Sequence, residues 1–528
     1  MVAIRSGLRA LGVVVVAPVL AWLLASAAAA AALPQTGPVD ADFANVDQAA
    51  LAYLAGKGQP GVSVVVAYGD RIIYAQGYGW ADKARAIPTS PWLEYRLASV
   101  SKTFTATAVL RLVEQGRLQL DAKAWDYVAA YMGAEPADAR VKQITVRQLL
   151  THSWGLNRAT TADPNGVWTT NSSGQVLIAS RELLRKYLLS KMLDFAPGTR
   201  YAYNGAGFSW LQLIAETVDG RPLDQQLSAA LGPEALSTGR VRIGSTLPSA
   251  ITAAEPTYYD YTGAPQVAPV PGLYPAPAPA QVARPYGAYT LASYGGGGGL
   301  IASPLTVARF VQRLQGIRLP ALLKPETFMQ MRSAQNTGDG TPNVGLGVVT
   351  VPAYGSDYWL TFNGAILGSR TGWLSTPRTA GGPRITIVAL VNGSWAWAGE
   401  TATGDDISAE LLNPLLAAVD AMTAKKYAAK PEIGGERLIA FGSATEDYFA
   451  DLLFDWGQRS FPALFPSVQA SGRYVGYRYR YYPETQLYLG AKDGRIVLYQ
   501  PSVSPAINDI AGMVDFLPQA VHDTDALK

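Results

Sequence analysis

Leu97-Ala-Ser-Val-Ser-Lys-Thr-Phe-Thr105 opens a helical pattern in which Phe104, Ala108, Leu112 and Val113 recur at helical spacing, and Gly116 closes it. Ser99 and Lys102 stand three residues apart, so at the start of a helix they share one face and the amine lies next to the hydroxyl. Among the 13 lysines of the chain, Lys102 alone has a serine three residues before it. A buried lysine gives up its charge more readily than an exposed one, which lets the amine act as a base or ease proton transfer from a neighbouring phenol. The first N–H groups of the helix also suit a developing oxyanion. Ser-x-x-Lys is nevertheless a short pattern, and a helix N-cap is the competing reading of Ser99.

Upstream, Gly61–Tyr68 and Arg71–Gly79 are β-rich runs around a Gly69-Asp70 turn, a hairpin by pattern. Downstream, helical spacing continues through Val146–Leu150, Arg181–Met192, Gly207–Val218 and Leu305–Leu314. Strand-like runs return at Gly345–Val351, Tyr358–Phe362, Ser369–Ser375 and Arg384–Asn392. Strands at both ends with helices between them predict an α/β (α+β) sandwich. In it, one antiparallel sheet built from the two ends is flanked by helices and carries an all-helical insertion over about 96–290. Pro265–Pro285 holds seven prolines and reads as a long surface loop, and Gly295–Gly299 as a flexible rim of the cleft. The glycine run lacks a following Gly-Lys-Ser/Thr, so it is not a phosphate loop. Residues 426–528 have the texture of a separate β-rich module, with Arg473–Tyr482 alternating and Leu487–Tyr499 forming a hairpin around Asp493-Gly494. Its interleaved Tyr and Arg fit either a glycan-facing surface or the solvated face of a small sheet.

Composition narrows the chemistry. The chain has 528 residues, 49% hydrophobic and 16% charged, which excludes a disordered protein. A net charge of +3, of which Arg5 and Arg9 supply two, leaves no basic nucleic-acid footprint. No cysteine and only His152 and His522 leave too few ligands for a zinc centre and no thiolate nucleophile, so no metal and no cofactor are expected. Gly-x-Ser-x-Gly is absent, and a Ser/His/Asp triad would have to use one of those two histidines. Residues 1–32 read as a bacterial signal peptide: Arg5 and Arg9, an apolar stretch from Leu11 to Leu24, and alanines offering cleavage near Ala27 or Ala32. An uncleaved anchor is the rival, since Leu11–Leu33 is long enough to cross a bilayer. The expected organisation is a leader at 1–32, a main domain at 33–425 and the module at 426–528, with the mature protein periplasmic or secreted and not membrane-bound.

Four segments, in order, resemble the landmarks of the serine β-lactamase-related family: Leu97–Thr105, Leu149-Leu-Thr-His-Ser-Trp-Gly-Leu156, Pro197-Gly-Thr-Arg-Tyr-Ala-Tyr-Asn204 and Gly297-Gly-Gly-Leu-Ile-Ala-Ser303. That family includes class C β-lactamases, penicillin-binding D,D-peptidases, D-amino-acid peptidases and β-lactamase-like esterases, and the resemblance covers roughly residues 42–422. It implies Ser99 as the acyl-forming nucleophile, Lys102 as its activating partner, Tyr203 as the proton shuttle and His152 in a supporting segment. Two departures matter. The usual Tyr-x-Asn is replaced by Tyr203-Asn204-Gly205, and the place of Lys-Thr-Gly or His-x-Gly reads Phe362-Asn363-Gly364-Ala365. In this frame the Ser99 and Ala365 N–H groups form the oxyanion hole, while Asn204, Phe362, Asn363, Gly364 and Arg370 are the candidate substrate contacts. Arg370-Thr371-Gly372 is a competing, cationic frame, but the spacing to Ile385–Asn392 favours Phe362. Loss of the cation moves an ester or neutral amide ahead of a carboxylate-bearing substrate. The expectation is therefore an exported, esterase-like serine hydrolase acting on a small ester or amide/peptide substrate. The alternatives are a D-amino-acid peptidase, D,D-carboxypeptidase or β-lactamase, with peptidoglycan as a candidate partner, and a penicillin-binding or sensing protein without turnover.

Overall fold

The computed structural model describes residues 33–420 apart from 38–39, 162–163, 165–179, 233–240, 253, 261–265, 270–272, 354–356, 378–381 and 395–406, together with 426, 430 and four strands within 470–499. The leader at 1–32, His522 and the Asp493-Gly494 turn lie outside the described residues. The chain divides after Pro34 into two units, and the architecture below belongs to the second, Gln35–Lys528.

Strand β2 (Gly61–Tyr68) is buried along its whole length, which explains its unbroken Val-rich run: both of its faces are covered. Gly69, at φ 61°, supplies the left-handed residue that turns the chain into β3 (Arg71–Asp82). Four strands from the far end complete the sheet: β5 (Val349–Pro352), β6 (Tyr358–Ile366), β7 (Ser369–Ser375) and β8 (Ile385–Val391). With β1 (Gln35–Thr36) the order is β1-β3-β2-β8-β7-β6-β5, and the short β4 (Ile87–Pro88) pairs with β3. All of these pairings are antiparallel, and Val388 of β8 lies opposite Val65 of β2, joining the two ends of the domain as the pattern of strands predicted.

Helices cover both faces of the sheet. Helix α1 (Ala44–Lys57) packs with α8 (Asn413–Asp420), whose leading turn at Leu412 closes over Gly372 of β7. On the other face α7 (Pro304–Leu314) lies across β8 and β2. Ser303 caps α7 by accepting from the Thr306 N–H, and Pro304 occupies the first helical position, where no donor is lost. On this same face the core merges with the buried helix α2 (Ser101–Glu114) and with α5 (Ala206–Asp219).

The insertion also carries α3 (Val146–Leu150), α4 (Ser180–Ser190) and α6 (Leu223–Leu231). It is not all-helical, which corrects the sequence reading. Tyr95–Arg96, Leu300–Ala302 and Arg242–Ile243 form a three-stranded sheet, and Gln266–Val267 pairs with Val282–Ala283 inside the proline-rich stretch. Chain folded back against a core must still satisfy its backbone polar groups, and short pairings do so where proline excludes a helix. Residues 470–499 form a four-stranded antiparallel meander, Ala470–Tyr474, Tyr477–Tyr482, Leu487–Lys492 and Arg495–Tyr499, which pairs only within itself among the described residues. Among the described residues no helix is long and apolar enough to cross a membrane.

Candidate active site

Ser99 sits in a single 3-10 turn, Ala98–Val100, that runs directly into α2. Ala98 takes the left-handed conformation at φ 46°, a strained choice for a residue with a Cβ, and it turns the chain sharply just before Ser99. The surrounding fold holds this turn from several sides. The Ser369 hydroxyl donates to the Arg96 carbonyl (2.7 Å), the Thr371 hydroxyl to the Leu97 carbonyl (2.6 Å), and the Leu97 N–H to the Leu300 carbonyl (2.8 Å).

One helical turn on, Lys102 is only 2% exposed, and its Nζ donates to the Ser99 Oγ at 3.1 Å and to the Gly297 carbonyl. The Tyr203 hydroxyl lies 2.7 Å from the same Ser99 Oγ, and the Lys102 ammonium stands 4.9 Å from the centre of the Tyr203 ring. Hydroxyl, amine and phenol thus form one connected group, with Tyr203 brought in from 104 residues away. Strand β6 runs alongside. A methyl group on Gly364 would lie 2.6 Å from the Leu97 carbonyl oxygen and 2.7 Å from the Ser99 nitrogen, so only glycine lets β6 come this close. Strand alternation puts Phe362 on the same face as Gly364.

A sequence model of the β-lactamase family matches residues 46–403. The chain belongs to the β-lactamase family. It is 32% identical to esterase EstB of Burkholderia gladioli over 180 residues, 32% of this chain and 43% of EstB. The chain spans less than half the length of the curated relatives it matches. Among solved structures, the octameric penicillin-binding protein homologue of Pyrococcus abyssi aligns at a TM-score of 0.53 and 17% identity, over 87% of this chain and 90% of that one. The D-amino acid amidase of Ochrobactrum anthropi SV3, complexed with L-phenylalanine amide, aligns at 0.52 and 19% identity, over 72% and 99%.

Within this β-lactamase-family fold, several sequence-derived contacts lie elsewhere than expected. Asn204 is fully buried: its Oδ1 accepts from the Ala206 N–H (3.0 Å) at the start of α5 and its Nδ2 donates to the Thr161 carbonyl (3.3 Å). Its Oδ1 closes a turn just ahead of α5 and its Nδ2 anchors a loop, so both ends of the amide are engaged within the protein. Asn363 is on the opposite face of β6 from Gly364 and donates to the Ser408 hydroxyl at 2.6 Å. Arg370 pairs with Ala365 across the β6–β7 ladder, while its neighbour Thr371 bonds the nucleophile turn. Alternation therefore sends Arg370 to the face away from Ser99, where it is 4% exposed and not solvated, and the competing cationic frame does not meet Ser99.

The glycine run is also corrected, because Gly295–Gly297 are buried between α2 and α5 and form no flexible rim. A Cβ on Gly297 would lie 2.7 Å from the Gly205 carbonyl, and this close approach delivers the Gly297 carbonyl to Lys102. Neither Gly297 as a lysine partner nor Arg96 emerged from the sequence. The Arg96 guanidinium is fully buried, bonded to the Tyr289 hydroxyl (2.7 Å) and the Pro285 carbonyl (2.9 Å), and 4.1 Å from the Tyr258 ring centre. It pins the end of the proline-rich stretch to the chain three residues before Ser99. Unsurfaced tyrosines around one arginine were the available signal, but no spacing rule links residues this far apart.

His152 is buried, and its pKa is lowered from 6.5 to about 3, first by desolvation and then by the Lys102 charge. Between those two values the unfolded chain binds a proton that the folded chain refuses. The contribution of His152 to stability is thus fully present above pH 6.5 and is lost as pH falls toward 3. The slope approaches about 1.4 kcal/mol per pH unit. Thermal melts at pH 7.5 and pH 4.5 should show a larger acid loss for the native protein than for His152→Asn, and equal losses would refute the buried neutral imidazole.

Proposed function

We propose that this protein is a serine hydrolase that acts through an acyl-enzyme on Ser99, with a neutral ester preferred as substrate and the mature chain exported. The observation that carries the reading is the bonded group of Ser99 Oγ, Lys102 Nζ and Tyr203 OH with β6 pressed against the Ser99 backbone. Ser99 Oγ attacks the carbonyl carbon as its proton passes to the Tyr203 oxygen, which accepts it as a phenolate held beside the Lys102 ammonium. Negative charge collects on the carbonyl oxygen, where the Ser99 and Ala365 N–H groups are the assigned donors. The pair then protonates the departing alkoxide or amine, leaving the acyl group on Ser99. Water attacks this ester, gives up its proton along the same route, and Ser99 Oγ is restored as the acid departs.

Phe362 supports the preference for a neutral substrate. It occupies the place where the resemblance calls for a cation, and Arg370 lies on the far face of the sheet and does not compensate. The 32% identity to a protein named as an esterase points the same way. A second reading, a peptide-like amide, is favoured by β6 itself. Strand β5 pairs only with Tyr358–Thr361, so among the described residues the edge of β6 from Phe362 to Ile366 has no neighbouring strand and could pair with an extended backbone.

The test is a rate comparison on a short-chain aryl ester, a D-alanyl amide and a chromogenic cephalosporin, for the native protein and for Phe362→Lys. The native protein should favour the ester. Phe362→Lys should raise kcat/KM on the carboxylate-bearing cephalosporin relative to the ester by roughly tenfold or more, the worth of one charge-assisted hydrogen bond. A native preference for the amide would install the second reading, and an unchanged ratio in Phe362→Lys would remove Phe362 from substrate selection.

A further inference from the structure

His152 touches the segment around Tyr203 at two consecutive residues. Its backbone carbonyl accepts the Ala202 N–H at 2.8 Å. Its imidazole ring lies 4.4 Å from the Tyr203 ring, centre to centre, with the planes 33° apart. The backbone of His152 is itself left-handed, at φ 55°, a conformation that histidine tolerates better than most residues with a Cβ.

The far side of the imidazole is closed as well. Phe208 from α5 lies 5.1 Å away, and Tyr201 meets the ring edge-on at 5.8 Å. The charged or titratable groups facing it are Lys102 from α2 and the phenols of Tyr201 and Tyr203. A cationic imidazole here would stand beside the buried Lys102 ammonium in a poorly screened interior, so the ring serves as a neutral spacer.

We propose that His152 is a positioning residue that grips residues 202–203 and so holds the Tyr203 phenol on the Ser99 hydroxyl. This rests on the reading of Tyr203 as the proton shuttle. A misplacement of about 1 Å in a reacting group costs on the order of 100-fold in rate, which sets the scale of the effect. His152 makes no contact with the reacting atoms, and its action passes entirely through the phenol.

The test is a double-mutant cycle on aryl-ester hydrolysis with His152→Ala and Tyr203→Phe, with thermal melts run on every variant. His152→Ala should lower kcat roughly 10- to 100-fold with KM changed by less than about threefold. In the Tyr203→Phe background, where no phenolic hydroxyl remains to be placed, the same change should lower kcat by less than about threefold. His152→Asn tolerates the left-handed backbone and refills part of the space against the Tyr203 ring, so its kcat should fall between the native and alanine values. It also serves as the test variant if His152→Ala does not fold.

A His152 effect of equal size in both backgrounds would overturn the grip while leaving the role of Tyr203 intact. Near-native kcat in Tyr203→Phe would overturn both, and near-native kcat in a folded His152→Ala would overturn the grip alone.

Discussion

Ser99→Ala should reduce turnover of any substrate to the uncatalysed background, a loss of roughly 10⁴- to 10⁶-fold in kcat. The size follows from the arrangement. Lys102 Nζ and Tyr203 OH both converge on one oxygen, and without that oxygen they have no nucleophile to deprotonate. Alanine fits the turn: Ser99 is only half-buried, and the chain leading into it is held through the Arg96 and Leu97 carbonyls, which do not depend on its side chain. The melting temperature should therefore stay close to native. Substantial ester hydrolysis by folded Ser99→Ala would sink the acyl-enzyme account.

Tyr203→Phe should cost roughly 10²- to 10⁴-fold in kcat, the range for removing a positioned general acid–base group. The variant keeps the ring, so the packing against His152 and the cation–ring contact with Lys102 persist, and only the hydroxyl 2.7 Å from Ser99 Oγ is lost. KM should move little, because the lost group acts on protons in flight and not on the bound ground state. Single-turnover kinetics on an aryl ester would separate acylation from release. If the phenol is the shuttle, both steps slow. A normal kcat would mean that Lys102 alone manages the proton and that Tyr203 is one more core tyrosine.

The local part of the site was the most legible in sequence. Ser99 and Lys102 are one helical turn apart, and a period of 3.6 residues brings them together whatever the rest of the chain does. The strands were legible for the same reason, since the runs at Ser369–Ser375 and Ile385–Val391 announce themselves by β-branched and aromatic content. Tyr203 was reachable only through the resemblance, because nothing local in residues 197–204 says that they fold over Lys102.

Asn363 and Arg370 failed for a different reason. Arg370 lies in a strand that was correctly located and Asn363 in the continuation of Tyr358–Phe362 to Ile366, but a strand has two faces, and which one meets α2 is decided by packing far away in sequence. Asn204 is engaged within the fold, because an amide beside a candidate tyrosine closes a local turn as readily as it binds a ligand. The glycines at Gly295–Gly297 read as flexible by composition. Their burial comes from Gln212 on α5 and Thr105 on α2, whose side chains bond the Gly296 N–H (2.7 Å) and carbonyl (2.8 Å). Both partners are distant in sequence, and only the fold brings them to the run.

The most direct test of the central claim is intact-protein mass spectrometry after exposure to a fluorophosphonate, followed by peptide mapping, on the native protein and on Ser99→Ala. The account predicts one adduct per chain, carried on the peptide containing Ser99, with none on the variant. An unmodified native protein, or an adduct that persists in Ser99→Ala, would contradict it.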